Sequence, residues 1–169
     1  MKPHNWLLLL QILVMSIEVQ HISKNYGTQK ALNDLSFRIE KGEIVGFLGP
    51  NGAGKSTLMK ILTTYLAADK GSAWVNGFDV ATQSLQVQQC IGYLPEHNPL
   101  YLDLYVREYL AYQADVYKVD KSRIATVIEL TGLQKEAHKK IGQLSKGYRQ
   151  RVGLAQALLG EALQLPAIP

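Results

Sequence analysis

The sequence has a single cysteine, Cys90, and this scarcity excludes several kinds of protein. One thiol cannot form an internal disulfide, so the chain is not a small secreted scaffold, and a reducing compartment suits it. We interpret Cys90 as a small core residue, because no cysteine or histidine pattern surrounds it. The histidines also lack the spacing of metal ligands. They are His4, His21, His97 and His138.

Apolar runs long enough to cross a membrane are missing as well. The run Trp6–Val14 would form a helix of roughly 14 Å, against about 30 Å of bilayer core. Lys2 before this run is typical of a signal peptide, but no small-x-small cleavage site follows. We favour a third interpretation, in which Met15 is the natural start, because a coherent domain pattern begins at Ser16. Residues 1–14 are then an extension outside the domain.

Size and charge limit the remaining classes. With 169 residues and 47% apolar side chains, the chain is one domain at most and can bury a core. Its 18 basic and 14 acidic residues leave a net charge of +4, which fits an anionic ligand but is too small to indicate nucleic acid. No aromatic and basic platform for bases is evident, so we predict no nucleic-acid partner.

One stretch carries the most specific chemical prediction. Its nine residues fit the phosphate-binding pattern G-x-x-x-x-G-K-[ST] without a mismatch. Converging backbone N–H groups hold phosphate oxygens best when no side chain blocks their approach, and three glycines remove that obstacle. The lysine is a mobile cation for the β- and γ-phosphates, and the serine hydroxyl is placed to ligate Mg²⁺. The stretch consists of Gly49, Pro50, Asn51, Gly52, Ala53, Gly54, Lys55, Ser56 and Thr57.

The flanking sequence gives this loop the setting that the motif requires. Glu43–Leu48 is predicted to be a buried strand that leads directly into the loop. Residues 55–67 are predicted to be a helix that is mostly buried, because its apolar residues lie on more than one side. Such a helix presents free N–H groups and its positive dipole end to the same anion. The alternative interpretation is an ordinary glycine-rich turn.

The remaining pattern predicts an α/β fold with a β-rich N-terminal part. Three alternating or short strands are predicted before a hairpin turn at Asn76-Gly77, and a buried strand is predicted to stop at Pro95. Helices are predicted after it, with Asp120 as an N-cap, and they interrupt the β/α alternation as an inserted helical lobe. The predicted strands are Ile17–Ile22, Leu35–Ile39, Ala73–Val75 and Ile91–Leu94, and the predicted helices span 82–90, 104–117 and 121–130.

Two further stretches have both a functional and a plain interpretation. The loop Pro95–Pro99 leaves a predicted strand and carries Glu96, and loops in that place commonly contact ligands; a solvated turn is the alternative. Ser145 is predicted to cap a helix running to about Leu163, and the basic residues around it suit an anion. From the physics alone, a capped helix with a solvated basic face is the favoured interpretation.

With these motifs in order, residues 16–160 resemble the ATP-binding domain of an ABC transporter. Tyr26 matches the aromatic residue that stacks on adenine, and Gly49–Thr57 matches the Walker A loop. Tyr93–Glu96 matches the loop that senses the γ-phosphate and touches the membrane subunit, and Leu144–Arg151 matches the signature motif. The nearest subgroup is the gliding-motility-associated ABC ATP-binding proteins of bacteria.

The resemblance implies an ABC-type P-loop NTPase fold that binds ATP and Mg²⁺. Ser56 and Glu96 are the implied metal-binding residues, although Glu96 stands where glutamine is usual. In the family the signature contacts the nucleotide of a second subunit, so Ser145 and Gly147 imply a head-to-tail dimer, although Tyr148 replaces the usual glutamine. The other implied partner is a membrane subunit, which places the chain in the cytoplasm at the inner face of the cell membrane.

One departure from the family pattern is the absence of the motifs that follow the signature helix. The family continues after the signature helix with an apolar strand ending in Asp-Glu, called Walker B, then an Asp loop and a switch histidine. The sequence leaves the pattern after Leu159 and contains none of these. We therefore interpret residues 15–160 as a partial domain of a truncated or frame-shifted product, and residues 161–169, with two prolines, as an irregular tail.

This absence shapes the predicted function. We expect ATP binding as the nucleotide-binding subunit of an ABC transporter, with hydrolysis weak or lost, and we assign no catalytic residue. The alternative is a non-catalytic nucleotide-binding or interaction fragment. A GTPase is disfavoured because no Asn-Lys-x-Asp sequence occurs, and a small-molecule kinase because no arginine-rich lid is evident.

Overall fold

The computed structural model describes residues 15–160, which divide into two compact units. The first unit comprises residues 15–88 and the second unit residues 89–160. The predictions made for residues 1–14 and 161–169 lie outside the described range.

The first unit is built on a four-stranded antiparallel sheet. The strand order is β2-β1-β3-β4, so the long strand β1 lies between β2 and β3. The strands predicted at 17–22, 35–39 and 73–75 are confirmed as parts of longer strands. Ala73 and Val75 of β3 alternate toward the core, whereas Val19 and Ile22 of β1 are both buried across an irregularity in the strand register. The strands are β1 (Met15–Tyr26), β2 (Gln29–Glu40), β3 (Lys70–Val75) and β4 (Phe78–Asp79).

The predicted hairpin turn at Asn76-Gly77 is confirmed. It joins β3 to β4, where Val75 pairs with Phe78. Asn76 has a φ of 49° and Gly77 a φ of 81°. Two successive left-handed residues form the two-residue turn whose twist matches antiparallel strands, and Asn-Gly is the pair that tolerates this best.

The helix after the phosphate loop is α1 (Lys55–Leu62), shorter than the predicted 55–67. Leu58, Ile61 and Leu62 are buried and pack toward β2 and β3. The prediction that the helix is mostly buried is wrong, because Met59 and Lys60 are exposed. The helix α2 (Ser84–Cys90) confirms the prediction for residues 82–90 and contains the boundary between the units.

The buried strand predicted for Glu43–Leu48 is wrong. The segment forms no strand, and Ile44 is 102% and Leu48 93% exposed. A strand needs a neighbour for its N–H and C=O groups, and the four strands of the described sheet pair only with one another. Two of its residues still contact β2: Glu43 accepts a hydrogen bond from the Glu40 amide at 2.9 Å, and the Phe47 ring lies 6.3 Å from that of Phe37.

The second unit is helical, as the predicted lobe requires. Its helices α3 and α4 pack against the last helix, α5, around a core that includes Leu110, Ile141 and Val152, all fully buried. α3 and α4 begin two residues later than predicted, and α5 ends at Leu159 rather than near Leu163. The elements are α3 (Val106–Tyr117), α4 (Arg123–Leu130), a 3₁₀ turn (Ile141–Gln143) and α5 (Lys146–Leu159).

Two predictions for the second unit need correction. Ile91–Leu94 is not a buried strand: the segment is irregular, and the side chains of Tyr93 and Leu94 are 44% and 37% exposed. The described part of this unit contains no strand with which it could form a ladder. Asp120 is not the N-cap of α4, which is Ser122; the Asp120 carboxylate instead accepts a hydrogen bond from the Ser122 amide at 2.7 Å.

Candidate nucleotide-binding site

The loop of residues 49–57 has a backbone that only glycine adopts without strain. Gly52 has a φ of 83° and Gly54 a φ of 82°. A Cβ on Gly54 would lie 2.2 Å from the carbonyl oxygen of Ala31 and 2.7 Å from the Leu32 side chain. Gly54 therefore sets both the turn into α1 and the close packing of the loop against β2.

The main chain of this loop leaves a group of hydrogen-bond donors open. The Ala53 amide donates to the Pro50 carbonyl at 3.2 Å, and the Leu58 amide donates to the Gly54 carbonyl at 2.9 Å. The four amides that lie between Ala53 and Leu58, those of residues 54–57, have no acceptor among residues 15–160. These are the donors that every helix start leaves unpaired, and together with the helix dipole they favour an anion.

Lys55 places a cation beside these amides. Its Nζ donates to the carbonyl oxygens of Gly49 at 2.5 Å and Pro50 at 2.7 Å, so the side chain folds back over the loop. Neutral carbonyls are weaker partners for an ammonium group than phosphate oxygens are. Phosphate oxygens would therefore be stronger acceptors for this amine than the two carbonyls are.

Ser56 is the candidate metal-binding residue in the first unit. It is exposed, and its hydroxyl has no hydrogen-bond partner among residues 15–160. No group of three or more His, Cys, Asp or Glu side chains within that range could hold a metal ion. A divalent cation here fits only as one that takes most of its oxygens from phosphate and water, as Mg²⁺ commonly does.

Tyr26 and the phosphate loop share one hairpin of the first unit. Tyr26 is the last residue of β1, pairs with Gln29 and is 50% exposed. Gly54 packs on Ala31. Ala31 lies two residues after Gln29 in β2, a distance of about 7 Å along the strand. The structure thus brings the predicted aromatic and phosphate contacts to the same end of the sheet.

The other predicted residues lie in the second unit. Ser145 is confirmed as the N-cap of α5, because its Oγ accepts a hydrogen bond from the Tyr148 amide at 3.4 Å. Gly147 lies in the first turn of that helix with no heavy atom within 4 Å of where a Cβ would stand. The loop of Glu96 reaches the same helix, because Gln150 Nε2 donates to the Glu96 carbonyl at 3.2 Å.

A cleft of about 340 Å³ opens between this loop and the start of α5, with Glu96, Lys146 and Arg149 among its lining residues. The guanidinium of Arg149 is held by main-chain carbonyl groups of the same unit. It donates to the carbonyl oxygens of Ile141 at 3.2 Å and Gly142 at 2.7 Å. Arg149 is one of the basic residues near Ser145, and its contacts could not be predicted because a sequence does not show which main-chain carbonyls lie nearby.

Comparisons with known proteins agree with this arrangement. The family model described as ABC transporter matches residues 32–165. A Chlorella vulgaris protein named Probable sulfate/thiosulfate import ATP-binding protein CysA is 38% identical over 151 residues, covering 87% of this chain and 64% of that protein. The SkfA peptide export ATP-binding protein SkfE of Bacillus subtilis is 36% identical, covering 87% of this chain and 62% of that protein. The chain thus spans less than two thirds of the length of either relative.

The fold comparison gives the same family. A solved ATP-binding subunit of an ABC transporter superposes with a TM-score of 0.75 at 28% identity, over 85% of this chain and 62% of that one. This confirms the predicted α/β fold of the ABC type, as a partial domain. Within residues 15–160, no helix is both long enough and apolar enough to cross a membrane. On the family match and these relatives, the chain belongs to the ABC transporter family, as an ATP-binding domain.

Proposed function

We propose that this chain binds ATP through residues 49–57 as part of the ATP-binding component of an ABC transporter. The observation that carries the proposal is the loop, with left-handed glycines, unpaired amides at one helix start and a lysine amine folded over it. The half-exposed ring of Tyr26 lies on the hairpin that supports this loop and is proposed to stack on the base. Bound Mg²⁺ would neutralise phosphate charge, with Ser56 as its protein ligand.

The roles proposed for the second unit rest on the family resemblance together with the local geometry. Glu96 is proposed as a second ligand toward the metal and the γ-phosphate, and Ser145 and Gly147 as contacts to nucleotide held by another subunit. The open space around Gly147 and the exposed position of Glu96 favour contact with something outside the chain. We accordingly propose a head-to-tail pairing of ATP-binding domains and a membrane subunit as partners, with the chain at the inner face of the cell membrane.

We assign no catalytic residue among residues 15–160. We propose that this part of the chain contributes ATP binding to the parent activity, ATP hydrolysis coupled to transport.

Titration calorimetry with Mg²⁺-ATP tests the binding proposal. We expect Lys55→Ala to weaken binding at least tenfold, since it removes a charge-assisted bond worth roughly 1.5–3 kcal/mol. Lys60→Ala is the matched control, because Lys60 is an exposed lysine of the same helix whose amine lies 5.9 Å from the Tyr65 ring rather than at the loop. Ser56→Ala should weaken binding only when Mg²⁺ is present. A folded chain without ATP affinity, or a Lys55→Ala variant that binds normally, would contradict the proposal.

A further inference from the structure

At the end that carries Tyr26, β1 is paired with β2 but extends beyond the end of β3. On the β2 side the pairing continues to the tip of the hairpin, where Tyr26 pairs with Gln29. On the β3 side the pairing stops at Ser23 and Lys70. The last three residues of β1 therefore have no strand beside them on that edge, and an unpaired strand end frays readily.

Asp69, the residue before β3, supports this bare edge. Its amide donates to the Ser23 carbonyl at 2.9 Å, which anchors the residue on β1. Its carboxylate accepts a hydrogen bond from the Asn25 amide at 2.7 Å through Oδ2 and from Lys24 Nζ at 2.6 Å through Oδ1. One side chain thus supplies the acceptor that a longer β3 would have offered to the residue next to Tyr26.

The lysine in this contact is largely shielded from water. The Lys24 side chain is only 15% exposed, and that of Asp69 is 36% exposed. The hydrogen bond from Lys24, followed by that from the Asn25 amide, lowers the pKa of the Asp69 carboxyl below its ordinary value of 3.8. The carboxylate is therefore fully ionised at any pH at which nucleotide binding is measured.

The phosphate loop packs against β2, the other strand of the same hairpin. Lys24 pairs across the ladder with Leu32, and Leu32 is one of the two residues against which Gly54 packs. Asp69 and the loop thus support the hairpin from two sides, with Tyr26 at its tip. Within the described range no other aromatic ring stacks on Tyr26, and the residue is 50% exposed.

We propose that Asp69 is a positioning residue for the nucleotide base: it fixes Lys24 and Asn25 so that the Tyr26 ring faces the adenine of ATP held by residues 49–57. The inference rests on the proposed ATP-binding function and adds to it a residue that does not touch the ligand. It also separates the recognition of ATP into two parts, the base through Tyr26 and Asp69, and the phosphates through the loop.

The test compares two ligands, Mg²⁺-ATP and Mg²⁺ with inorganic triphosphate, which has no base. We expect Tyr26→Ala to weaken ATP binding about tenfold, since stacking of a base on an aromatic ring is worth about one such factor, and to leave triphosphate binding unchanged. Asp69→Ala should weaken ATP binding by about three- to tenfold with the same selectivity. Because both ligands require the folded loop, the ratio of their affinities is insensitive to the fraction of folded protein.

Matched variants make the comparison specific. Asp79→Ala is the control, because the Asp79 carboxylate also accepts two main-chain hydrogen bonds, from Ala81 and Thr82 at 2.9 Å, but at the other end of the sheet. It should leave the affinity ratio unchanged. Asp69→Asn keeps one oxygen for the Asn25 amide but places an NH₂ group toward Lys24 Nζ, so it should restore only part of the ratio. The double variant Tyr26→Ala with Asp69→Ala should bind ATP no more weakly than Tyr26→Ala alone.

Each outcome decides between the two proposals. If Asp69→Ala weakens both ligands equally, affects neither, or adds its full effect to that of Tyr26→Ala, Asp69 does not act through Tyr26 and the inference is overturned. If the unaltered folded chain binds neither ATP nor triphosphate, the proposed function itself fails and the inference fails with it. A selective loss of ATP affinity that Asp69→Asn partly repairs supports both.

Discussion

Leu48 in the first unit and Leu110 in the second differ in how much of each residue is exposed to water. Leu110 in α3 is fully buried in the core of the second unit, whereas Leu48 is 93% exposed in the first. A helix satisfies its own main-chain groups and needs a neighbour only for its apolar face, and α3, α4 and α5 provide that for one another. A strand needs a neighbour for its main chain as well, and the segment before the phosphate loop has none among residues 15–160.

The largest expected effect is a direct measurement of this contrast. Leu110→Ala should lower the free energy of unfolding of the second unit by about 2–5 kcal/mol, because it leaves a cavity among closely packed side chains. The same substitution at Leu48 should change stability by less than about 0.5 kcal/mol, because its side chain is already in water. Urea unfolding followed by far-ultraviolet circular dichroism gives both values. A Leu48→Ala cost near that of Leu110→Ala would mean that the segment is packed in solution.

This contrast also explains which elements could be predicted from the sequence. The helices and the hairpin at Asn76-Gly77 depend on residues close together in the chain, so their patterns predicted them to within a few residues. The strands predicted at Glu43–Leu48 and Ile91–Leu94 have suitable composition, but a strand exists only where a partner strand lies beside it. Local composition contains no information on whether that partner is present.

The second prediction compares two glycines of the first unit. Gly54→Ala should destabilise this unit by about 1–3 kcal/mol and weaken ATP binding, because the new Cβ meets the Ala31 carbonyl as well as an unfavourable φ. Gly42 has a similar φ of 87° but nothing within 4 Å of a new Cβ, so Gly42→Ala should cost only about 1 kcal/mol of backbone strain and leave binding unchanged. Thermal unfolding and ATP calorimetry measure the two effects. Equal losses in both variants would show that close packing on β2 does not matter.

The smallest expected effect concerns a hydroxyl in the second unit. Tyr109 is almost fully buried, and its Oη donates to Gln156 Oε1 at 2.5 Å. Tyr109→Phe should cost about 1 kcal/mol, the usual net value of one hydrogen bond. The same site gives a pH dependence, because burial raises the pKa of Tyr109 to about 12 from an ordinary value of 10.0.

The sign of that dependence follows from the raised pKa. The folded chain favours the neutral phenol, so this contribution is complete below pH 10 and is lost as the pH rises toward 12. We therefore expect the second unit to lose stability in strong alkali, and the Tyr109→Phe variant to lose less. Unfolding measured from about 2 pH units below the ordinary pKa of 10.0 to about 1.5 units above it, with tyrosinate absorbance in parallel, checks this. Identical alkaline transitions in both proteins would contradict it.

The candidate site shows where prediction from sequence ends. The phosphate loop was predicted residue by residue, because its chemistry requires glycines and a lysine at fixed spacing. The contacts of Asp69 could not be predicted, since its partners Lys24 and Asn25 are far away in the sequence. Arg149 was likewise placed among basic residues, although its guanidinium binds main-chain carbonyls. Contacts that join distant segments through the main chain need the folded structure to be recognised.

The segment Ile44–Leu48, which has no strand beside it, affects the solubility of the chain at high concentration. Five uncharged residues without proline, rich in β-branched and aromatic side chains, are the kind of sequence that stacks between molecules into cross-β aggregates. Mutual repulsion from a net charge of +4 opposes such stacking, and salt screens that repulsion. Solubility should therefore fall with increasing protein and salt concentration, and a single lysine in place of Val45 should restore it.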